Sequence, residues 1–482
     1  MVWGTDLQLE SPRLMNSKRI LKWLAWLLGG TLTLVVVAYL TLLLINWRDE
    51  PPSEAALQLA AANRDRPAVS DADNAYVHVM GFIVAPNADP HEAGARRIDW
   101  LRRLHDQRQL PVGDDPLAGD ESYKSTRPAA AQNLSDTCRL ASRECAVALE
   151  AGTDVMREWV SSEKWLLERY LVLVRHPGWL ETAPFDSRAP LPPYGLVFDG
   201  QKLLLAKAYL LANQGDAAGV RDLLADDVRF WRHVLASSDI LITKMIAVSA
   251  LNRSFGIGNL VLRQLPAETE LQGMPQEWTT PLTDTERSLL RCFTGEWIFG
   301  DDLLQEIVAS GSWRRLADSE GDANVADKVV GRALMPLFQP QDTSNRRADM
   351  FVRATQAMNV PFEQLPKGLE QARVIFENPN GRSSPLTRLY NPVGDLVLWV
   401  SASGFVPYGA RVADVEGARR AAVLATELRS RKVDVQKIPE ELAASAIRVP
   451  YTGEPFIWDV EEQAIVFVGL EQAERGRHTF KY

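Results

Sequence analysis

The chain has 482 residues, of which 46% are hydrophobic and 24% are charged, as expected for a folded protein with a sizeable core. Its formal net charge of −9 argues against a nucleic-acid partner, because phosphate binding needs a basic surface. Three cysteines are too few for a disulfide-rich scaffold.

The N-terminal part predicts a membrane anchor. Residues 23–47 carry no charged side chain, and a helix of that length spans roughly 37 Å, more than the ~30 Å hydrocarbon core of a bilayer. Trp23, Trp26 and Trp47 lie near its ends, where indole rings favour the membrane interface. A buried core helix and a cleaved signal peptide are the alternatives. A signal peptide would have a shorter apolar region and a nearby cleavage site, whereas NWRDEPPSE follows here, so we expect an uncleaved transmembrane helix.

The charges beside the anchor predict its orientation. Lys18, Arg19 and Lys22 precede it, whereas Arg48 is followed by acidic residues, so residues 1–22 are expected in the cytoplasm. The sequence looks bacterial, which would place the anchor in the inner membrane and the bulk of the chain in the periplasm. Translation from Met1 and translation from Met15 both remain open.

The remainder divides into three predicted parts. Residues 48–73 contain prolines and few bulky apolar side chains, and they are interpreted as a stalk. Residues 74–440 are predicted to form a periplasmic helical domain. Residues 441–482 contain two short β-type runs, FIWDV and AIVFV, and are predicted to form a terminal β-hairpin module. The fold class is therefore mainly α.

Cys138 and Cys145 predict a disulfide if they lie in the oxidising periplasm. On one unbroken helix, residues seven apart would be about 10 Å apart, and a disulfide tolerates roughly 7 Å between Cα atoms. We therefore expect a loop at these cysteines, ahead of an amphipathic helix over residues 155–176. Cys292 is left over by count and is interpreted as a small buried apolar residue.

Residues 201–237 contain two helical patterns joined around Gly215 and resemble a tetratricopeptide-type helical hairpin. No neighbouring repeat of about 34 residues is evident, so we expect one hairpin within an irregular helical domain. The apolar stretch over 234–251 is interrupted by Asp239 and Lys244. Charges are costly at the centre of a bilayer, so this stretch is interpreted as a buried helix and not as a second membrane span.

Two resemblances go beyond these patterns. RRAAVLATELR followed by VPYTGEPFIWDVEEQAIVFVG resembles the closing β-hairpin module of pseudopilin-like periplasmic proteins, although the prepilin cleavage motif is missing and pilus assembly is not expected. DNAYVHVMGF, the cysteine loop, FWRHVL, LITKM and DVEGARRAA together resemble an uncharacterised family of proteobacterial single-anchor inner-membrane proteins. The second resemblance implies the topology and a largely helical fold, but no activity.

The sequence offers little recognisable chemistry. The spellings G-x-S-x-G, H-E-x-x-H and the P-loop do not occur, so no catalytic or cofactor-binding residue is predicted. The histidines show no ligand spacing, and each is interpreted as a surface or packed residue, so no metal site is predicted; they are His78, His91, His105, His176, His233 and His478.

One polar cluster is singled out as a candidate: Arg232, Asp239, Lys244 and Glu296. Asp239 and Lys244 would project about 140° apart on a helix, so each needs its own partner. Ion pairs that fix the helix register are the favoured interpretation. A glutamate with a raised pKa that acts as a general acid is the alternative for Glu296.

These observations predict a membrane-tethered protein-binding or scaffold protein with a protein partner and without recognisable catalytic machinery. The alternatives are an immunity protein against a secreted antibacterial toxin, an accessory subunit of an envelope or secretion complex and, less favoured, an envelope hydrolase.

Overall fold

A computed structural model describes residues 17–107, 115–117, 123–186, 189–310, 331–378, 389–401, 404–471 and 476–482. This part of the chain is mainly helical, with an N-terminal apolar helix and a small C-terminal antiparallel sheet, which confirms the predicted fold class. Residues 1–16 of the predicted cytoplasmic segment, with Met1 and Met15, lie outside the described residues.

The helices follow one another along the whole chain. They are α1 (Ser17–Ile45), α2 (Glu54–Arg64), α3 (Ala75–Met80), α4 (Pro90–Asp106), α5 (Ala129–Thr137), α6 (Arg143–Ala151), α7 (Thr153–Ser162), α8 (Lys164–Leu173), α9 (Tyr194–Asn213), α10 (Ala217–Ser237), α11 (Leu241–Leu262), α12 (Ala267–Gly273), α13 (Gln276–Thr279), α14 (Asp284–Arg287), α15 (Leu290–Ser310), α16 (Pro340–Met358), α17 (Leu365–Glu377), α18 (Pro392–Ser401), α19 (Val406–Ser430) and α20 (Ile438–Ala444). Short 3-10 turns lie at Asp71–Asp73, Met335–Leu337, Phe362–Gln364 and Val435–Lys437.

Helix α1 has the length and composition of a membrane anchor or a signal sequence. Its stretch Leu21–Ile45 has 25 residues and a mean hydropathy of 2.3, and no residue of its most apolar window is buried within the protein. Thr31 and Thr33 donate their hydroxyl hydrogens to backbone carbonyls one turn earlier, which satisfies these polar groups inside an apolar helix.

Helix α11 is the second long apolar helix, and 72% of its most apolar window is buried inside the protein. Helices α9, α10 and α19 all pack against it. The interpretation of this stretch as a buried helix, which rested on the charges of Asp239 and Lys244, is therefore confirmed. An apolar helix without a polar face is stable only where neighbours cover it on all sides.

Helices α9 and α10 form the predicted hairpin. Gly215 in the turn has φ of 77°, a backbone conformation that glycine adopts without steric cost. The next residue, Asp216, accepts the backbone N–H of Gly219 and so caps α10.

The chain forms the loop between Cys138 and Cys145 that the limit on the Cα–Cα distance of a disulfide predicts. Helix α5 ends at Thr137 and α6 begins at Arg143, and the chain reversal brings the Cα atoms of Cys138 and Cys145 to 4.7 Å. They are disulfide-bonded, whereas Cys292 is a buried free thiol with 1% exposure.

The single helix predicted over 155–176 is wrong, because the chain breaks at Glu163 between α7 and α8. The buried Glu163 carboxylate accepts hydrogen bonds from the Ser125 hydroxyl at 2.8 Å and the Trp159 indole at 2.9 Å. Ser125 lies 38 residues earlier in the chain, so the local periodicity does not reveal this contact at the break.

Part of the predicted stalk belongs to the folded domain. Residues 54–64 form α2, which packs on α15 and α16 and buries Leu59 completely. Before it, the Asp49 carboxylate accepts the backbone N–H groups of Gln341 at 2.8 Å and Asp342 at 3.0 Å, at the first turn of α16. Helix α1 is thus followed by a packed segment and not by an extended spacer.

The C-terminal sheet has the order β1 (Ile457–Asp459), β2 (Ala464–Val468) and β3 (Arg477–Lys481), with antiparallel pairing throughout. The predicted hairpin is therefore present and is extended by a third strand. Phe467 and Phe480 belong to the main hydrophobic core, so the sheet packs with the helices and is not a separate module.

Candidate functional site

Asp239 lies in a buried ion-pair network just before α11. Its carboxylate oxygens bind Arg66 at 2.7 Å and Arg291 at 2.6 Å, and the residue is only 2% exposed. Two guanidinium groups from distant segments thus compensate the buried charge. Both oxygens are occupied, which leaves this carboxylate poorly placed for acid–base chemistry.

Arg232 and Lys244 meet through Glu286 but not through Asp239. Arg232 binds the Glu286 carboxylate through Nε at 2.6 Å and Nη2 at 2.9 Å. The Lys244 ammonium donates to the backbone carbonyls of Leu235 at 2.6 Å and Glu286 at 3.0 Å, and burial lowers its pKa to about 8. These contacts tie α10 and α11 to the segment that contains α14.

Glu296 in α15 accepts the backbone N–H of Leu241 at 3.2 Å. It is half-buried, and burial raises the pKa of its carboxyl group. The four predicted residues therefore do not form one cluster: Arg232 and Lys244 share Glu286, Asp239 binds two arginines, and Glu296 binds the backbone of Leu241.

Glu181 also belongs to the polar network at the start of α11, and the sequence pattern does not reveal it. Its Oε2 accepts the backbone N–H groups of Asp239 at 2.6 Å and Ile240 at 2.8 Å, the two residues that precede α11. Burial, and then the charge of Asp239, raise the pKa of Glu181 to about 8. Together, Glu181 and Glu296 accept the backbone N–H groups of Asp239, Ile240 and Leu241 at the start of the core helix.

A surface groove of about 800 Å³ lies between the disulfide loop, α11 and β3. Arg139 and Leu140 of the loop form one wall, and residues 477–480 of β3 form the other. β3 is an outer strand of the described sheet, and the edge of such a strand can pair with an added strand.

The groove is lined by positive side chains. Arg139, Arg253, Arg411 and Arg477 line it together with one acidic residue, Glu471. Arg139 and Arg477 form ion pairs with acidic residues outside the lining, and such exposed pairs contribute little, about 0–1 kcal/mol. Arg411 pairs with Glu471 at 2.7 Å within the lining, so Arg139, Arg253 and Arg477 are the arginines that favour an anionic ligand on a chain with a net charge of −9.

A cluster of three histidines lies apart from the groove. One ring nitrogen from each of His78, His91 and His176 lies within 4.8 Å of those of the other two. His78 is buried, and the other two are half-buried. The sequence offered no signal for this cluster, because its members are far apart along the chain and no two have a spacing typical of metal ligands.

Comparison of the chain with protein-family models, curated proteins and solved structures finds no match. The resemblances to single-anchor inner-membrane proteins and to the pseudopilin-like module therefore stay predictions.

Proposed function

We propose that this protein is a membrane-tethered binding protein or scaffold of the bacterial periplasm. In this proposal, residues 23–47 cross the inner membrane with the N-terminus in the cytoplasm. The helical domain then holds an extended acidic segment of a partner protein in the groove beside β3. The observation that carries the proposal is the arginine-lined groove along an edge strand.

The contacts of the anchor favour an uncleaved helix. Asn46, one residue beyond α1, accepts the backbone N–H of Asn391 at 2.6 Å and donates its side-chain amide to the carbonyl of Leu389 at 2.9 Å. Gln339 donates to the backbone carbonyl of Asn46 at 2.6 Å. A cleavage that removed Asn46 together with α1 would leave the buried partners Asn391 and Gln339 without these contacts, at a cost of about 1–3 kcal/mol for each unsatisfied group.

The last turns of α1 also pack on the domain. Tyr39 and Leu42 contact a small hydrophobic cluster that includes Phe338 and Val393, and the Tyr39 hydroxyl donates to the carbonyl of Ala333 at 2.9 Å. Because these turns belong to the membrane-spanning stretch, the domain must lie directly on the membrane surface.

Helix α18 extends this apolar surface. Its Val393 packs in the anchor cluster, while Leu396, Trp399 and Val400 are 61%, 67% and 65% exposed. An exposed tryptophan beside aliphatic side chains is typical of a membrane interface. Contact of α18 with lipid would cover these side chains and fix the domain in one orientation.

The partner chemistry follows from the groove. An extended peptide that adds to a strand edge gains backbone hydrogen bonds, and nearby side chains select its sequence. Here Arg139 and Arg477 stand on opposite walls, so acidic side chains on an added strand could meet a guanidinium group on either side. A toxin, an envelope subunit or another partner could supply such a segment, and the identity of the partner distinguishes the immunity and accessory-subunit alternatives.

Site-specific photo-crosslinking in intact cells tests this function. A photoreactive amino acid replaces Leu140, which is 67% exposed in the groove, and a matched control replaces Leu271, which is exposed on α12 and does not line the groove. We expect one partner to be captured from position 140 and not from position 271. The double substitution Arg139→Glu and Arg477→Glu should abolish the capture, whereas Arg353→Glu, at an exposed site on α16, should not.

The proposal fails if the same proteins are captured from both positions, or if reversal of the groove charges leaves the capture unchanged. It also fails if position 140 captures nothing while the protein is folded and located in the membrane.

A further inference from the structure

We propose that His78, His91 and His176 form a binding site for a divalent transition-metal ion, Zn²⁺ in particular. Three ring nitrogens, one from each residue, converge to within 4.8 Å of one another. His78 Nε2, His91 Nδ1 and His176 Nε2 are each buried and have no hydrogen-bond partner. Buried nitrogens without a partner are costly unless they bind a ligand, and imidazole is the commonest protein ligand for such metals.

The ring nitrogens of the cluster are of the kind that binds a metal. A metal binds the lone pair of a neutral imidazole nitrogen. The buried ring nitrogens of His78, His91 and His176 that have no hydrogen-bond partner are available for this role.

The backbone holds His78 and His91 against each other. They lie on α3 and α4, which approach so closely that a Cβ atom on Gly94 would lie 1.8 Å from the carbonyl oxygen of Val77. A Cβ atom on Gly81 would lie 2.0 Å from the carbonyl oxygen of Pro90, the residue before His91. Only glycines permit this contact, and it fixes the two histidines on rigid neighbouring helices.

The third histidine is held by a separate set of contacts. The backbone around His176 pairs with the segment before α3, since Ala75 N–H donates to Gly178 at 2.9 Å and Gly178 N–H donates to Asp73 at 3.1 Å. His176 also hydrogen-bonds the backbone of Asp73. A metal-binding histidine usually makes such an outer hydrogen bond, because it orients the ring and fixes the tautomer.

The loop between α3 and α4 is fixed by Arg169. Its guanidinium group donates to the carbonyls of Phe82 at 2.9 Å, Val84 at 2.6 Å and Ala85 at 2.8 Å. Arg169 is thus a positioning residue, since it holds the connection between the two histidine-bearing helices without joining the cluster.

The geometry fits a tetrahedral ion with an open position. For Zn–N bonds of about 2.0–2.1 Å, tetrahedral ligand atoms are about 3.3 Å apart, so small side-chain rotations would close the cluster on the ion. His91 and His176 are half-exposed, which gives the ion a route from solvent. Three protein ligands leave a fourth position for water or for a ligand from another molecule.

Metal titration of the full-length protein in nanodiscs, with an affinity tag that contains no histidine, tests the site. We expect one equivalent of Co²⁺ to give the visible absorption of a tetrahedral ion, and Zn²⁺ to displace it. His91→Gln and His176→Gln should each weaken Zn²⁺ binding by at least ~10-fold. His91 and His176 are half-buried, whereas His78 is buried, so both variants should fold. Circular dichroism checks that they do.

His105→Gln is the matched control, because His105 lies in another group, with Asp186 and Asp302. This variant should bind Zn²⁺ as the unaltered protein does. The proposal is overturned if the unaltered protein binds neither ion at millimolar concentration. It is also overturned if folded His91→Gln and His176→Gln variants keep full affinity, or if binding is lost in His105→Gln instead. Partner capture through the groove is measured separately, so failure of either proposal leaves the other standing.

Discussion

Glu181 and Asp239 are two buried acids held in direct contact through the backbone. Glu181 Oε2 accepts the N–H of Asp239 at 2.6 Å, and the N–H of Glu181 donates to Asp239 Oδ2 at 3.3 Å. Arg66 and Arg291 neutralise Asp239. Glu181 binds no such cation in the described contacts, and its pKa rises to about 8.

This pair predicts a pH-dependent stability. The carboxyl group of Glu181 changes from a pKa of 4.5 in the unfolded chain to about 8 in the folded protein. The folded state therefore binds the proton more tightly, and the free energy of unfolding should fall as the pH rises from about 4.5 through 8. Each unit of pKa difference corresponds to about 1.4 kcal/mol, so the loss should amount to a few kcal/mol.

Glu181→Gln should remove much of this slope, because its amide keeps the shape and an oxygen for the N–H groups of Asp239 and Ile240. Denaturant unfolding between pH 5 and pH 8.5 measures the effect, with the exposed Glu158→Gln as the matched control. Equal slopes for the unaltered protein and Glu181→Gln would show that Glu181 does not take up a proton on folding as described.

Asn391 should be a strong determinant of stability at the junction between α1 and the rest of the protein. It is fully buried, and its side-chain amide donates to the carbonyl of Gln339 at 3.0 Å and the carboxylate of Asp342 at 2.7 Å, while its oxygen accepts the N–H of Gly394 at 2.9 Å. Its φ of 52° also favours asparagine or glycine over alanine. Asn391→Ala should lower the free energy of unfolding by about 2–4 kcal/mol.

Two variants separate the causes. Asn391→Gly removes the hydrogen bonds but tolerates the backbone conformation, so it should be about 1 kcal/mol less destabilising than Asn391→Ala. Asn378→Ala, at an exposed position, should change stability by less than about 0.5 kcal/mol. If Asn391→Ala were as mild as Asn378→Ala, the junction would not be packed as described.

The disulfide should stabilise the protein and one wall of the groove. Cys138 and Cys145 close a loop with a sequence separation of 7, and restriction of the unfolded chain predicts a contribution of about 2–3 kcal/mol. A reductant should lower the melting temperature of the unaltered protein but not that of a Cys138→Ala, Cys145→Ala variant. If the reductant lowered the melting temperature of that variant by the same amount, the decrease would not come from the disulfide.

The contact between α3 and α4 should not tolerate a side chain. Gly94→Ala would place its Cβ 1.8 Å from the carbonyl oxygen of Val77, and separation of the helices should cost about 3 kcal/mol or more. Gly195→Ala is the matched control, because Gly195 lies in α9 and has nothing within 4 Å of the added atom. It should be neutral or stabilising by up to about 1 kcal/mol. Thermal unfolding of the two variants gives the comparison, and equal stability would contradict the close approach.

The parts of the fold that were predictable depend on local pattern. The N-terminal apolar helix follows from an uncharged apolar run, the α9–α10 hairpin from a Gly–Asp turn, and the loop at Cys138 and Cys145 from the distance argument. The burial of α11 followed from the cost of Asp239 and Lys244 in a bilayer. In each case, a short stretch of sequence contains the physical reason.

The unpredicted parts depend on partners that are distant in sequence. Leu59 lies in a proline-flanked stretch that reads as a stalk, and it becomes buried only because α15 and α16 fold around it. Glu163 breaks a regular helical pattern through contacts from residues 123–126. His78 and His176 meet only when the segment before α3 pairs with the one after α8. None of these contacts is visible in the local sequence pattern of the segments that make it.

The central claim is that one uncleaved helix holds the whole domain outside the cytoplasm, and labelling of introduced cysteines tests it most directly. The native cysteines give no background, because two are bonded and Cys292 is buried. In intact cells, a maleimide that cannot cross the inner membrane should label Glu461→Cys, an exposed position between β1 and β2, and should label Ser17→Cys only after lysis. Labelling of Glu461→Cys only after lysis, or loss of the residue-17 cysteine from the mature protein, would contradict the account.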